Sequence, residues 1–211
     1  MKPLPRPLRS DLSVIAEMIP ERARVLDVGC GEGELLEHLA VSKHVDGRGI
    51  ELSQQNVNAC VARGLSVVQG DADTDLVEYP SQVFDVVILS QTIQATRAPR
   101  SVLTQLLRIG KRTIVSFPNF GHWRVRMGLL FNGRMPRTFA LNYSWYDTPN
   151  IHLCTITDFT HLVTELGGVI ERAIAFGEED ATQAIRADAW GPNLFAEGAI
   201  FMLYAETASR K

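Results

Sequence analysis

The sequence has little cysteine. Cys30, Cys60 and Cys154 are its only three in 211 residues, odd in number and far apart. That excludes a disulfide framework and any Cys-x-x-Cys zinc site, and it points to a reducing cytoplasm. Long apolar runs are lacking too: none approaches the ~20 residues of a membrane helix, so no part of the chain is expected to span a bilayer. The start, Met1-Lys2-Pro3-Leu4-Pro5-Arg6-Pro7, is basic, with prolines where a signal peptide requires an apolar segment. Residues 1–9 are therefore expected to form a flexible arm. Only 16 Gly and 10 Pro, against 45% hydrophobic residues, exclude collagen-like, low-complexity and disordered classes. No His/Asp/Glu grouping has metal-ligand spacing, so no metal is expected.

One further absence is local. After Asp85 the next acidic residue is Asp147, and between them lie Arg97, Arg100, Arg108, Lys111, Arg112, Arg124, Arg126, Arg134 and Arg137. That stretch carries nine positive charges, so the remainder carries −12 to give the net −3. A basic middle on an acidic body suits an anionic ligand or an acidic partner surface. The plainer alternative is that these side chains pair with acids elsewhere in the chain. Nucleic acid is disfavoured, because a net charge of −3 is not the usual basic footprint.

A chain of this length buries roughly 70% of its unfolded surface in one core, so residues 1–211 are read as a single domain. Helix-like and strand-like segments alternate, which argues for an α/β layer architecture with a mostly parallel sheet. Ser10-Asp11 caps a first helix ended by Pro20, and Arg24-Val25-Leu26-Asp27-Val28 is a strand entering a glycine-rich turn. Leu35, Leu36 and Leu39 stripe the next helix. Strands follow at 45–51, 65–69, 84–89 and 112–117, with helices at 53–63, 100–108 and 157–166. Residues 169–176 and 199–206 form a closing antiparallel pair. Between the two halves, residues 119–153 are rich in arginine and in aromatic rings (Trp123, Phe131, Phe139, Tyr143, Trp145, Tyr146). They are too few for a core of their own and read as an insertion over the carboxyl ends of the strands.

The candidate site begins at Asp27-Val28-Gly29-Cys30-Gly31-Glu32-Gly33, between a strand and a helix. Glycines there let the backbone turn tightly and approach a ligand, with helix N–H groups nearby. The dinucleotide fingerprint requires glycine at position 34, where Glu34 stands. Glycines at 29, 31 and 33 after Asp27 resemble the class I S-adenosylmethionine-dependent methyltransferases instead. That resemblance implies a three-layer Rossmann-like fold with a mostly parallel seven-stranded sheet and an antiparallel last strand. It implies S-adenosylmethionine or S-adenosylhomocysteine as ligand, held by Asp27, Gly29, Gly31 and Gly33. Glu51 would accept the ribose hydroxyls, Asp71 and Ala72 would meet the adenine, and Ser90 would stand at the end of the fourth strand.

Longer strings narrow the resemblance: Ser90-Gln91-Thr92-Ile93-Gln94-Ala95-Thr96-Arg97, Phe117-Pro118-Asn119-Phe120-Gly121-His122-Trp123, Gly133-Arg134-Met135-Pro136, and Trp145-Tyr146-Asp147-Thr148-Pro149-Asn150-Ile151-His152-Leu153-Cys154-Thr155. These resemble the bacterial methionine-biosynthesis family MetW over roughly residues 8–205. The family implies a methyltransferase-like protein working beside homoserine O-acyltransferase. Many small-molecule methyltransferases carry Glu-His after the fourth strand; the matching pair here is Gln94-Ala95, and neither takes a proton at neutral pH. His122 and His152 are the remaining candidates for a catalytic base, although a single loop histidine more often makes a structural hydrogen bond. Arg124, Arg126 and Arg134, with Trp145 and Tyr146, are the candidates for meeting an acceptor or a partner. The expected roles are thus a regulatory subunit for the acyltransferase or a small-molecule methyltransferase, with an RNA-directed enzyme behind both.

Overall fold

The computed structural model describes residues 8–138, 140–177, 182–186 and 190–206. Residues 1–7 of the expected arm, and Phe139 of the insertion, lie outside them. In order, the elements are α1 (Ser10–Met18), β1 (Arg24–Val28), α2 (Glu34–Lys43), β2 (Asp46–Glu51), α3 (Gln54–Ala62), β3 (Ser66–Gln69), β4 (Phe84–Ser90), α4 (Pro99–Ile109) and β5 (Gly110–Pro118). They continue with α5 (Trp123–Asn132), α6 (Ile156–Glu165), β6 (Gly168–Phe176), β7 (Thr182–Ala184), α7 (Trp190–Phe195) and β8 (Gly198–Ala205).

Strand side chains alternate between faces, and here both faces are covered. Val25, Val86, Ile88, Ile114, Ile200 and Met202 pack with Leu12, Ile15, Leu35 and Leu39 of α1 and α2. Their neighbours Leu26, Val87, Leu89, Val115, Phe201 and Leu203 pack with Leu103 and Leu106 of α4 and Phe159 and Val163 of α6. Period two in the strands and the helical stripes thus produce three layers. Phe117, Phe159 and Phe201 meet at 4.7–5.9 Å between centroids and lock β5, β8 and α6 together.

The sheet runs β3-β2-β1-β4-β5-β8-β6-β7. The first five strands are parallel, β8 runs antiparallel to β5, and β6 runs antiparallel to β8. This is the expected sheet with one addition, the three-residue edge strand β7 against β6. β7 escapes sequence reading because all three of its residues are exposed and carry no alternation. The first helix also departs from expectation. Arg9 takes the N-cap position with no side-chain cap bond, and Ser10 is already helical. Asp11 does not cap, because its carboxylate is turned inward to accept from Gln91 Nε2 at 2.7 Å and from Arg9.

The insertion contains α5, which sequence reading missed, and buried amides tie down both of its ends. At its start, Asn119 Nδ2 donates to the Asn193 and Ala196 carbonyls (3.0 and 2.8 Å), while Oδ1 accepts from Gly121 N and Ile156 N (2.9 and 3.3 Å). At its end, Gln94 O accepts from Ile151 N and His152 N, and Gln94 Nε2 donates to Pro118 O and Cys154 O. Gln94 thus joins the exit of β5 to the return of the chain. Asn119 is fully used, and truncation strands several buried groups at once. Asn119→Ala is expected to lower unfolding free energy by about 3 kcal/mol, read as the urea midpoint at unchanged slope. Asn119→Asp does no better, since it buries a charge facing two carbonyls.

Candidate functional site

Parallel pairing places the carboxyl ends of β1, β2, β3 and β4 along one edge of the sheet. The winding reverses between β1 and β4, which is where open α/β sheets bind ligands. A cavity of about 720 Å³ opens there, within the size range of small-molecule pockets. Asp27, Gly29, Gly31 and Ser90 line it, together with Asp11 and Gln91. Tyr143 and Asn150, from the stretch after β5, also line it.

The glycine loop is held from β2. Gly29 N and Cys30 N both donate to Ile50 O (2.8 and 3.3 Å), and Gly31 N donates to Glu51 Oε2 at 2.8 Å. Glu51 Oε1 accepts from Ser53 N (3.0 Å) and from Asn56 Nδ2 (3.3 Å). The buried carboxylate that the resemblance assigns to the ribose is therefore fixed in orientation by three donors, from the glycine loop, the residue before α3 and α3 itself. Gly29, Gly31 and Gly33 all have positive φ. At Gly33 the need is internal as well: a Cβ would sit 2.5 Å from Leu65 Cδ1 and 2.9 Å from Cys60 Sγ. A Cβ on Gly31 would meet no protein atom within 4 Å, so at the cavity wall only the left-handed backbone demands glycine.

Burial raises the Asp27 carboxyl to about 7, with the Glu51 charge as a further cause. Asp11, Glu32 and Glu34 also line the cavity, with Arg9 paired to Asp11. The wall is acidic and suits a cation. Burial, reinforced by Asp27, also pushes the Cys30 thiol far up, so it stays protonated and is no nucleophile.

Gly33 and Glu51 do not line the cavity, and the remaining predicted residues also lie outside its lining. Asp71, at the end of β3, is ion-paired with Arg97 at 2.5 Å and accepts from Asp73 N, so the carboxylate assigned to adenine is already engaged. Ala72 packs against the main core instead. His122 is buried and caps α5, its Nδ1 accepting from Arg124 N. His152 Nε2 bonds the Arg97 carbonyl at 3.2 Å. The structure brings neither histidine to the cavity. Trp145 and Tyr146 stack edge-on at 5.6 Å and are exposed. Arg124 lies over Trp123 and pairs with Glu197, Arg126 Nε donates to Gly121 O, and Arg134 lines a separate groove. Among the described residues no group of three or more His, Cys, Asp or Glu side chains is placed to hold a metal, and no helix is long and apolar enough to cross a membrane.

Sequence reasoning missed Asp11 and Gln91. Their contact spans 80 positions, and Asp11 carried only the signature of a helix start. Gln91 was flagged by its place after β4 but given no role; it is strained, with φ +51°.

Residues 9–203 match the family model described as methionine biosynthesis protein MetW. The chain belongs to the MetW family. It is 34% identical over 208 residues to the bifunctional methionine biosynthesis protein MetXA/MetW of Rhodopirellula baltica, a match over 94% of this chain and 33% of that protein. This chain therefore spans about a third of that relative's length. Among solved structures it resembles an S-adenosylmethionine-dependent methyltransferase of Thermotoga maritima, a possible histamine N-methyltransferase, with TM-score 0.67 at 17% identity over 93% of this chain and 88% of that one. An S-adenosylmethionine-dependent methyltransferase of Archaeoglobus fulgidus gives 0.67 at 17%, over 92% and 91%. These likenesses establish the α/β methyltransferase fold.

The raised Asp27 carboxyl makes a signed prediction. The folded protein takes up a proton there that the unfolded chain has lost, so between pH 4 and 7 stability falls by up to about 1.4 kcal/mol per pH unit, and is flat above. Asp27→Asn removes that fall. Its advantage over wild type in thermal unfolding should grow from pH 4 to 7 and then level, as calorimetric scans at matched ionic strength would read.

Proposed function

We propose that this chain binds S-adenosylmethionine or S-adenosylhomocysteine at the strand-end cavity and supports or regulates homoserine O-acyltransferase. The observation that carries the ligand assignment is the Gly31 N to Glu51 Oε2 bond. It fixes a buried carboxylate beside a turn in which a Cβ on Gly31 would meet no protein atom within 4 Å, at the switch point of the sheet. The residues present fit an adenosyl sulfonium: Glu51 for hydroxyls, the Gly29–Gly31 backbone for close approach, and Asp27 for positive charge, while Asp11 is already paired with Arg9. When bound, the group would supply an electrophilic methyl. This chain's own part is to bind and orient it, with Gln91 holding Asp11 at the wall. The adenine end is less well provided, because Arg97 already occupies Asp71.

Methyl transfer is the weaker reading. The positions expected to supply a base do not reach the cavity: Gln94 fastens the segment after β5 and the two histidines bond elsewhere. Support for the acyltransferase role comes from the Rhodopirellula relative, in which a MetXA and a MetW part share one chain. A pathway whose output becomes this ligand gains feedback if the ligand binds free and docked forms unequally, and the coupling is then reciprocal.

Calorimetry with both ligands, with and without the acyltransferase, tests the proposal. Saturable binding is expected, weakened by at least about tenfold in Glu51→Ala, with the ligand changing acyltransferase affinity by the same factor as the acyltransferase changes ligand affinity. A chain that neither associates with the acyltransferase nor alters its activity would overturn the role. S-adenosylhomocysteine release with a cell metabolite would establish the methyltransferase reading instead.

A further inference from the structure

Helix α5 presents its apolar side outward. Of its ten residues only Val125 is buried, and Gly128 sits close against Pro136. At about 100° per residue, Trp123, Met127, Leu130 and Phe131 fall in one stripe on the side opposite Val125. They are 42, 37, 72 and 73% exposed. Arg124 and Arg126 border that stripe on either side. Past the helix end, Arg134 and Arg137 join Phe131 and Met135 around a groove with no acidic residue in its lining. Among the described residues Arg126, Arg134 and Arg137 have no carboxylate partner; Arg126 and Arg137 donate to carbonyls.

Four large side chains at i, i+4, i+7 and i+8 form the anchor pattern of a helix laid into a partner's groove. Exposed apolar surface of this kind marks an interaction site. The helix is rooted firmly: His122 caps it, Arg126 Nε bonds Gly121 O at 2.6 Å, and Asn119 pins the turn before it. Such a surface meets its partner already ordered, which lowers the entropic cost of docking. The motif residues Asn119, Gly121 and His122 thus act by aiming α5.

We infer that the outward stripe of α5, with Arg124, Arg126 and Arg134, is the surface by which this chain docks on an apolar, carboxylate-rimmed groove of the acyltransferase. This rests on the regulatory reading above and locates its interface. Charge selects the occupant. A second copy related by a two-fold axis would bring one arginine border against another, and like charges oppose that pairing. A partner rimmed with carboxylates offers ion pairs to Arg126 and Arg134, which have no carboxylate partner among the described residues. The Rhodopirellula relative shows a sequence of this family joined to a MetXA part, so a protein partner is favoured over a bilayer of anionic lipid.

The test measures binding of the full chain to the purified acyltransferase by interferometry at two salt concentrations. Leu130→Asp/Phe131→Ser should weaken binding by about a hundredfold. Arg134→Glu should weaken it by about tenfold and flatten its salt dependence. S-adenosylhomocysteine binding should be unchanged in both, which reports an intact fold; if the double variant does not fold, Arg134→Glu decides. Wild-type binding that these variants leave untouched, or that only Trp145→Ala/Tyr146→Ala abolishes, overturns this interface and leaves the regulatory role standing. No wild-type binding at all overturns that role and this inference with it. Capture by phosphatidylglycerol vesicles in place of the acyltransferase, lost in the same variants, makes the occupant a bilayer and overturns the proposal.

Discussion

Three consecutive backbone donors, on Gly29, Cys30 and Gly31, are all satisfied from the last two residues of β2. A chain that leaves a strand for a helix must find acceptors for the amides it frees, or pay their desolvation. Parallel pairing of Val28 with Ile50 puts those acceptors within reach. The register that builds the sheet therefore also shapes the loop, and it draws a carboxylate, Glu51, out of solvent beside a second, Asp27. Burial, and after it the Glu51 charge, raises the Asp27 carboxyl. The electrostatic character of the cavity follows from this one backbone requirement, before any ligand is considered.

The opposite side of the cavity obeys the same rule with side-chain amides. Where β5 ends, carbonyls of Pro118, Cys154, Asn193 and Ala196 converge in the interior, and Asn119 and Gln94 supply their donors. That explains why an amide stands where a methyltransferase base is expected. A carboxylate at 94 would face the Pro118 and Cys154 carbonyls and offer them no proton. The position is spent on architecture, and the insertion is held at both ends as a result.

How much of this was readable from the sequence depended on where each signal lies. Strands such as Phe84–Ser90 declared themselves because burial on both faces makes a continuous apolar run. The strand positions and the glycine turn after β1 were readable because they are local or rest on a motif. Asp11 and Gln91 were not, because only the folded sheet brings them together. α5 was hidden by a different cause. Its periodicity is present in Trp123, Met127, Leu130 and Phe131, but it lies among exposed aromatics in a stretch that looks like an irregular loop. The ion pair of Asp71 was not readable either, since nothing local announces Arg97.

The basic middle was the feature most changed by the structure. Of its nine positive residues, Arg97, Arg100, Lys111, Arg112 and Arg124 pair with acids far along the chain, and Arg108 ties down carbonyls near Tyr79. The plainer alternative was therefore right for most of them, and the stretch is no single cationic face. What remains is concentrated: Arg126, Arg134 and Arg137 stand beside the outward apolar residues of the insertion. An apolar stripe alone would invite self-association, and arginines along it discourage like surfaces from meeting. The same arginines are stabilised by a partner that brings carboxylates, so charge here acts as the selector and apolar contact as the source of affinity.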